Sequence, residues 1–282
     1  MRELVIVVPA YNEEIALAKT MQEYMQEFPE ATFIVVDNNS SDNTAEEAKS
    51  VLRPTDFLLF EGEQGKGAAM RAGLARLDAS IYLVTDADLT YPARDARAVV
   101  ERLKAGRLDM VVGDRLSSGG YATQNRRFGH SAGNALLTFI ISLFLKRRYN
   151  DVLSGLRAFS APFLHSTTIR ARGFQVETEL NIAAAYLNAK VVEVPIQYGE
   201  RPDGSESKLD TVTDGLRILY AALIGGLQVR PMTFFALISF VFLLGSVSGG
   251  SVLFVEYLTT EQMTRPGLAT LSASFGVLSA LS

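Results

Sequence analysis

Two aspartates separated by one residue, Asp86 and Asp88, follow a short apolar run at 82–84. In an open α/β sheet, ligands bind outside the carboxyl ends of the strands, so a buried strand ending in Asp-Ala-Asp presents two carboxylates to a site. Mg²⁺ and Mn²⁺ prefer carboxylate oxygens and share their remaining positions with water and substrate phosphates. The pair therefore predicts a metal–diphosphate site. An equally good interpretation is that both residues begin the turn before Pro92, because aspartate is common in turns.

The composition of the 282-residue chain excludes several classes of protein. A formal net charge of −4 argues against a protein that neutralises nucleic-acid phosphates over a broad face, so no nucleic-acid partner is expected. Cysteine is absent, which removes disulfides, thiolate-bound zinc and thiol nucleophiles, and two histidines are too few for a histidine-based metal site. The sequence enters a predicted strand at residue 4, without room for a secretory signal peptide, so we expect a cytoplasmic catalytic side.

Apolar strands alternate with amphipathic helices in the first part of the chain. This alternation predicts an α/β domain with a mostly parallel sheet and right-handed crossovers. A nicotinamide-dependent Rossmann enzyme is the main rival, but Pro9-Ala10-Tyr11-Asn12 stands where its Gly-x-Gly-x-x-Gly turn should be. The predicted strands lie at 4–8, 32–36, 57–60, 82–84 and 110–113, with a further strand at 191–195. The first helix is expected to start at Asn12, with an asparagine cap and two glutamates in its first turn.

Three further segments of this part have two interpretations each. Gly65-Lys66-Gly67 opens a helix at which amide groups and a cation could hold an anion, although this signal is weak alone. The predicted helix at 131–145 is apolar nearly all round and is followed by Lys146-Arg147-Arg148, so it is either buried or lies against a membrane surface. The loop at 201–208, rich in glycine, serine and proline, is either a solvated charged loop or part of a binding site.

The C-terminal part is predicted to contact a membrane. Residues 211–228 have the apolar spacing of an amphipathic helix. The 24 uncharged residues at 232–255 would extend ~36 Å as a helix, enough to cross a hydrocarbon core of ~30 Å. A second uncharged run at 267–282 is shorter than the ~20 residues of a full span and is interpreted as a second span, cut short. The expected domains are a catalytic domain at 1–210, an interfacial helix at 211–230 and a transmembrane region at 231–282.

Six short motifs follow one another along the chain, at 8–13, 37–44, 65–67, 86–88, 154–157 and 204–208. In this order they resemble the motifs of the family 2 GT-A glycosyltransferases, and within them the polyprenyl-phosphate sugar synthases. The resemblance covers the chain from residue 4 to about residue 210. Three positions depart from the family pattern: Asp-Asp-Gly-Ser is here Asp37-Asn38-Asn39-Ser40, and Thr90 stands where relatives often carry glutamine.

The resemblance implies a Rossmann-like GT-A catalytic domain followed by an amphipathic helix and transmembrane helices. It implies a metal-dependent, inverting transferase that uses Mg²⁺ or Mn²⁺. The donor would be a UDP- or GDP-hexose, and the acceptor a polyprenyl phosphate such as dolichyl or undecaprenyl phosphate. The enzyme would act at the cell membrane with the lipid bilayer as a partner, and a homo-oligomer is left open.

The resemblance also implies a role for each candidate site residue. The nucleotide sugar is expected at Pro9, Tyr11, Glu13, Asp37, Lys66 and Asp86. The metal is expected at Asp86 and Asp88. The acceptor phosphate is expected at Arg115, Arg127, Ser131, Arg201 and Lys208. The candidate catalytic residues are Asp88, Asp151 and Glu177.

A strong base is not required, because a lipid phosphate is already an anion that can attack the anomeric carbon. Asp151 and Glu177 are therefore interpreted either as an assisting base and holders of sugar hydroxyls, or as a helix cap and surface charge. Planar arginine forks suit phosphate oxygens, which favours arginine in positioning the acceptor.

Three other functions are weighed against this one. A processive polysaccharide synthase, or a transferase for another lipid, shares the domain, but the synthase carries a Gln-x-x-Arg-Trp motif and this chain has no tryptophan. An inactive membrane scaffold would be expected to lose one carboxylate of the Asp-Ala-Asp motif, and both are present. A transferase for a soluble or protein acceptor needs no transmembrane helix.

Overall fold

A computed structural model describes residues 2–117, 130–145, 147–205, 208, 210, 213–262 and 264–281. The chain forms two compact units, Met1–Gly225 and Gly226–Ser282. The strands of the first unit are β1 (Arg2–Ala10), β2 (Thr32–Asp37), β3 (Phe57–Phe60), β4 (Ala79–Val84), β5 (Met110–Asp114), β6 (Arg157–Ser160) and β7 (Val191–Pro195). The helices that accompany them are α1 (Leu17–Glu27), α2 (Thr44–Val51), α3 (Lys66–Leu74), α4 (Ala93–Gly106), α5 (His130–Leu145), α6 (Ala161–His165) and α7 (Val176–Tyr186). Helix α8 (Thr213–Val229) follows β7.

The described strands form one seven-stranded sheet in the order β3-β2-β1-β4-β6-β5-β7. Strand β6 runs antiparallel to β4 and β5, and the other neighbours are parallel. The predicted α/β fold with a mostly parallel sheet is therefore confirmed. Strand β6 was not predicted, because its four residues, Arg-Ala-Phe-Ser, are too short and too polar to give a strand pattern.

Two apolar layers cover the two faces of the sheet. Alternate residues of β1 point to opposite faces, so Ile6 belongs to one layer and Val7 to the other. The first layer includes Met21 of α1, and the second includes Met70 of α3 and Leu180 of α7. Because both faces are covered, the central strands are almost continuously apolar, as the sequence predicts.

Helix α5, which covers the apolar run at 131–145, has one buried and one exposed apolar face. Ile141 and Leu145 are buried, with 1% and 4% of their surface exposed. Phe139 and Leu143, on another face of the same helix, are 64% and 41% exposed. The helix therefore contributes to the core and also presents an apolar surface.

The second unit contains α9 (Pro231–Thr260) and α10 (Pro266–Leu281), which pack against each other. Small residues line their contact: a Cβ added to Gly249 would lie 2.1 Å from the hydroxyl oxygen of Ser272. The Ser239 hydroxyl donates to the carbonyl oxygen of Ser279 at 2.8 Å. Close packing through small residues and hydroxyl bonds is typical of helix pairs in membranes. Within the described residues, α9 is the one helix long and apolar enough to cross a membrane, judged by length and composition.

Candidate active site

The carboxyl ends of β1, β2 and β4 meet at one edge of the sheet. Ala10 pairs with Asp37 and Val7 pairs with Val84, so the segments that follow these strands begin side by side. A cavity of about 800 Å³ lies at this edge. The sequence-predicted site residues that line the cavity are Pro9, Tyr11, Glu13, Lys66, Asp86, Asp88, Arg201 and Lys208.

Two side chains of helix α1 form hydrogen bonds to the backbone of the Asp-Ala-Asp turn and of the residues that follow it. The Thr20 hydroxyl donates to the carbonyl oxygen of Ala87 at 3.0 Å and accepts the backbone N–H of Leu89 at 3.2 Å. The Tyr24 hydroxyl donates to the carbonyl oxygen of Tyr91 at 3.1 Å. Leu89 has a φ of 62°, in the left-handed region, which costs on the order of 1–3 kcal/mol for such a residue. The bonds from α1 therefore stabilise a strained turn.

The first carboxylate of the motif belongs to a cluster around Lys66. The Lys66 ammonium lies 2.6 Å from Asp86 and 2.9 Å from Glu177 at the start of α7. Burial disfavours the charge of Lys66, but Asp86 and Glu177 outweigh that effect and raise its pKa. A Cβ on Gly155 would lie 2.7 Å from both the Lys66 ammonium and Asp86, so any larger residue would displace these groups. The Lys66 cluster is therefore compact and closed by backbone.

The second carboxylate belongs to a cluster around Arg201. One guanidinium nitrogen, Nη1, lies 3.1 Å from Oε1 of Glu13, and the other, Nη2, contacts Oδ2 of Asp88. The Ser205 hydroxyl donates to Oε2 of Glu13 at 3.1 Å. The remaining oxygen of Asp88, Oδ1, accepts from the backbone N–H of Thr90 at 3.1 Å and from its hydroxyl at 2.5 Å. Thr90 therefore supports Asp88.

The Arg201 cluster is short of positive charge. Burial raises the pKa of Asp88 and the neighbouring Asp86 raises it further, and Arg201 offsets only part of the shift. Burial also raises the pKa of Glu13 despite its contact with Arg201. Burial disfavours the charge of Arg201, but the two carboxylates outweigh this effect and raise its pKa. A further cation beside Asp88 would lower the cost of keeping these carboxylates ionised.

Arg115 and Asp151 form a separate, buried ion pair. The Arg115 guanidinium makes two contacts with the Asp151 carboxylate, at 2.7 and 2.9 Å. Burial opposes ionisation of Asp151, but Arg115 outweighs burial and lowers its pKa. The backbone N–H of Asp151 donates to Glu193 at 2.9 Å. Among the described residues that line the cavity, neither Arg115 nor Asp151 occurs.

The remaining predicted site residues, among them Asp37 and Lys208, lie in different parts of the first unit or outside the described residues. Asp37 is buried and accepts the backbone N–H of Ser40 at 3.2 Å. Lys208 is exposed and lines the cavity. Arg127 lies outside the described residues. Ser131 lies in α5, and its side chain is outside the described part of the chain.

The two departures in the loop after β2 have a structural reason. The Asn38 amide donates to the carbonyl oxygens of Glu61 and Glu63, at 3.1 and 2.8 Å, and accepts the N–H of Gly65 at 2.7 Å. An aspartate could not make the two donor bonds. Asn39 has a φ of 60°, a conformation that asparagine tolerates better than most residues and that glycine adopts freely. Asn38 therefore connects the loop after β2 to the start of α3.

The loops after β1 and β2 are also joined to each other. The backbone N–H of Glu13 donates to the Thr44 hydroxyl at 2.8 Å, and that of Ser41 donates to the Asn12 side chain at 2.8 Å. Asn12 has a φ of 52°, so the chain turns here, and α1 begins at Leu17 rather than at Asn12 as the sequence predicts. Glu13 thereby lies at the cavity wall, and its carbonyl oxygen accepts the N–H of Leu17 at 2.9 Å where α1 begins.

The glycines of Gly65-Lys66-Gly67 serve a close approach between backbones. A Cβ on Gly67 would lie 2.2 Å from the carbonyl oxygen of Ala171, and one on Gly65 would lie 2.3 Å from that of Arg172. The N–H of Ala68 donates to the carbonyl oxygen of Arg172 at 3.0 Å. The start of α3 therefore packs against the chain's own backbone at Ala171 and Arg172. The positive group that it presents to the cavity is the Lys66 ammonium.

Sequence analysis missed three arginines of this region. Arg157 is fully buried and donates to the carbonyl oxygens of Ser154 and Val152 and to the Asn181 side chain, each at 2.8 Å. Burial lowers the pKa of Arg157, because its partners in these bonds are neutral. The sequence contained Arg157 only as the end of a motif, without a signal for burial. Two further arginines, at positions 170 and 172, line the cavity from a segment that sequence analysis left unassigned.

The donor set fits a hard divalent cation such as Mg²⁺ or Mn²⁺. Asp86 and Asp88 present carboxylate oxygens one residue apart, and the mutual repulsion of these groups favours a cation between them. Within the described residues, no group of three or more histidine, cysteine, aspartate or glutamate side chains could hold a metal. Ligands from outside the protein, water or phosphate oxygens, would have to complete the coordination.

The fold and its acidic edge define an α/β domain of the GT-A type. The crystal structure of glucosyl-3-phosphoglycerate synthase from Mycobacterium tuberculosis, in complex with Mn²⁺, uridine-diphosphate and glucosyl-3-phosphoglycerate, matches with a TM-score of 0.64. The match covers 79% of this chain and 80% of that chain at 20% sequence identity, which shows a shared fold.

Residues 5–167 match the glycosyl transferase family 2 domain, and the chain belongs to this family. Glycosyltransferase AglJ of Haloferax volcanii is 31% identical over 256 residues, which cover 89% of this chain and 80% of the relative. Dolichol-phosphate mannosyltransferase of Pyrococcus furiosus is 29% identical over 223 residues, which cover 76% of this chain and 62% of the relative. The predicted resemblance to family 2, with relatives that act on polyprenyl phosphates, is confirmed.

Proposed function

We propose that this protein is a metal-dependent, inverting glycosyltransferase that moves a hexose from a UDP- or GDP-sugar to a polyprenyl phosphate at a membrane. One observation carries the proposal: Asp88 and Arg201, a metal-type carboxylate and a phosphate-type cation, are in contact inside one cavity. A diphosphate leaving group with its metal and an anionic acceptor must meet in such a place. The name of the archaeal relative, dolichol-phosphate mannosyltransferase, supports the same acceptor class.

On the donor side, Asp86 and Asp88 would hold the metal. A bound Mg²⁺ or Mn²⁺ supplies Lewis-acid stabilisation of the charge that develops on the leaving diphosphate. Pro9 and Tyr11 line the cavity after β1 and are proposed to contact the nucleoside. The Lys66 ammonium lies 2.6 Å from Asp86 and 2.9 Å from Glu177, and this contact holds the first carboxylate of the Asp-Ala-Asp motif in position.

On the acceptor side, Arg201 and Lys208 would bind the phosphate. Both line the cavity, and Arg201 has a planar fork that suits two phosphate oxygens. The phosphate is the nucleophile, so the reaction needs orientation more than a base. We therefore assign Arg115 and Asp151, which satisfy each other in a buried pair, to the architecture of the site.

Membrane association is proposed from three apolar surfaces. Helix α9 has the length and composition of a membrane span. Leu216 and Tyr220, one turn apart on α8, are 63% and 68% exposed, and Phe139 on α5 is 64% exposed. Exposed apolar and aromatic side chains on helices are typical of contact with the lipid interface. Arg230, directly before the span, favours a cytoplasmic catalytic unit.

Donor binding to the full chain in detergent tests the proposal. A panel of UDP- and GDP-hexoses is added with and without Mn²⁺, and the unfolding temperature is measured for the wild type and for Asp88→Asn. One nucleotide class should stabilise the wild type by about 2.7 kcal/mol at a hundredfold excess over its Kd, and only with the metal. A panel in which no nucleotide sugar stabilises the protein, or in which the metal makes no difference, would contradict the proposal. Stabilisation by polyprenyl phosphate but not by a soluble phosphate ester separates the lipid acceptor from a soluble one.

A further inference from the structure

Arg201 and Asp88 are in contact with each other. The proposed reaction, however, requires Asp88 to bind the metal and Arg201 to bind the acceptor phosphate. One Asp88 oxygen, Oδ1, is engaged by the backbone and hydroxyl of Thr90. The other oxygen, Oδ2, is engaged by Nη2 of Arg201. Asp88 is 1% exposed, so its carboxylate has little room for an additional ligand on a new side. A cation that binds Asp88 must therefore compete with Arg201 for Oδ2.

Glu13 holds the other side of the same guanidinium. Nη1 of Arg201 lies 3.1 Å from Oε1 of Glu13 and 3.3 Å from the Ser205 hydroxyl. Glu13 is 7% exposed, and its backbone is fixed by the bond to Thr44. When Nη2 leaves Asp88, Nη1 can keep its bonds.

We propose that Arg201 is exchanged between Asp88 and the acceptor phosphate, with Glu13 as the positioning residue that anchors it during the exchange. Metal binding at Asp88 releases Nη2 of Arg201, and the released nitrogen is then available to a phosphate monoester. The metal site and the acceptor site are thereby coupled through one side chain. This inference rests on the proposed function, because it takes Asp88 as a metal ligand and Arg201 as an acceptor ligand.

The coupling has a thermodynamic consequence that can be measured without turnover. If the metal makes Arg201 available to phosphate, then phosphate must strengthen metal binding by the same factor. Without phosphate, Arg201 competes with the metal for Oδ2 of Asp88. This competition ends when the guanidinium binds phosphate instead. Removal of the guanidinium should therefore increase the metal affinity of the protein and remove its response to phosphate.

The experiment is a titration of the full chain in detergent with Mn²⁺, with free Mn²⁺ measured by electron paramagnetic resonance. No nucleotide sugar is added. The titration is repeated with farnesyl phosphate and with inorganic phosphate, and protein-free blanks correct for Mn²⁺ bound by the phosphates themselves. The variants are Arg201→Gln, Glu13→Gln and Arg217→Gln. Arg217 is the matched control, because it also lines the cavity but pairs with Asp214 at 3.3 Å instead of with Asp88.

The expected results differ between the variants. Arg201→Gln should bind Mn²⁺ about five- to tenfold more tightly than the wild type, because a partly buried competing cation has been removed. Farnesyl phosphate should increase the Mn²⁺ affinity of the wild type and of Arg217→Gln by a similar factor, and should leave Arg201→Gln unchanged. Glu13→Gln should lose at least half of the phosphate-induced gain, because Arg201 remains but its anchor is neutral.

Results of three kinds would overturn the exchange while leaving the proposed function intact, and the first two concern the variants. One is equal Mn²⁺ affinity in the wild type, Arg201→Gln and Arg217→Gln. The other is a phosphate-induced gain that persists in Arg201→Gln, since phosphate would then act on the metal directly. A response to either farnesyl or inorganic phosphate supports the exchange, and a wild type that responds to neither overturns it. If the wild type binds no Mn²⁺ at any concentration, the metal dependence in the proposed function fails, and the exchange fails with it.

Discussion

Two arginine–aspartate pairs follow the strands of this sheet, and they differ in what surrounds them. Arg115 contacts both oxygens of Asp151, and the pair lies apart from the described residues of the cavity wall. Arg201 divides its guanidinium between Asp88 and Glu13, and all three residues line the cavity. In the first pair, one arginine compensates the charge of one aspartate. In the second, the two carboxylates of Asp88 and Glu13 share the single guanidinium of Arg201.

We propose that the same residue types serve stability in the Arg115 pair and function in the Arg201 pair. In the Arg115 pair, the pKa of Asp151 is lowered because the arginine compensates fully for burial. In the Arg201 pair, the pKa of Asp88 is raised because burial and Asp86 exceed what the arginine supplies. An incompletely compensated carboxylate in a cavity is a typical feature of a functional site. Asp88 should therefore affect activity, and Asp151 should affect folding.

The largest effect is expected from Asp88→Asn, which should reduce sugar transfer by at least about a thousandfold, since stabilisation of the leaving group depends on this carboxylate. The unfolding temperature should change by no more than about 4 °C, because the amide keeps the volume of the side chain and can still accept a hydrogen bond from Thr90. Transfer rate and thermal unfolding are measured on the same preparations. Asp203→Asn, in the exposed loop beyond Arg201, removes the same charge and serves as the control.

Asp151→Asn should show the opposite behaviour. Loss of one partner leaves Arg115 as a buried charge, which costs about 3–5 kcal/mol of unfolding free energy. Denaturant unfolding of the purified protein measures this loss, with Asp203→Asn again as the control. If Asp151→Asn keeps its stability and loses transfer instead, Asp151 belongs to the chemistry and the comparison between the two pairs is wrong.

Gly155→Ala tests the Lys66 cluster, which is largely buried like the Arg115 pair but lines the cavity through Lys66 and Asp86. The added methyl group would lie 2.7 Å from Asp86 and Lys66, so Asp86, the proposed metal ligand, must shift. We expect a loss of transfer of about 10- to 100-fold, as for a misplacement of about 1 Å in an active site. Gly215→Ala is the control, because a Cβ there meets nothing within 4 Å. Equal activity of both variants would show that the cluster tolerates movement.

The smallest effect is expected from Asn38→Asp. The aspartate cannot donate to the carbonyl oxygens of Glu61 and Glu63, so two acceptors lose their bonds at a cost of about 1–3 kcal/mol. Chemical denaturation measures the change, and Asn188→Asp, at an exposed position, is the control. An unchanged stability would mean that the family's more common aspartate fits this loop equally well.

Much of the fold could be predicted because its signals are local. The apolar runs of β1, β2 and β4 and the carboxylates after them follow from residue type and spacing. Strand β6 could not be found, because its antiparallel position between β4 and β5 depends on pairing that four residues do not encode. The predicted start of α1 at Asn12 was wrong. Asparagine is a typical helix cap, but Asn12 has a left-handed conformation that turns the chain before the helix begins.

The composition of the site was easier to predict than its pairing. The family resemblance implied that Asp88 is a donor-side and Arg201 an acceptor-side residue, yet nothing in their spacing, 113 positions apart, indicates that they touch. Arg115 and Asp151 were predicted as separate functional residues, and their mutual pairing depends on tertiary structure alone. The roles proposed for these four residues depend on how deeply each side chain is buried and on its partner. Burial of a charged side chain has no reliable signature in a single sequence.

Transfer of labelled hexose to a short-chain polyprenyl phosphate tests the central claim most directly. The full chain in detergent is stripped of metal, divided, and assayed with the donor class that stabilises it, with and without restored Mn²⁺. The proposal predicts labelled lipid in the organic phase only when Mn²⁺ is restored, at a rate that Asp88→Asn does not reach and Asp203→Asn does. Labelled lipid at the full rate without metal would contradict the claim. So would donor consumption in which the hexose never reaches the lipid.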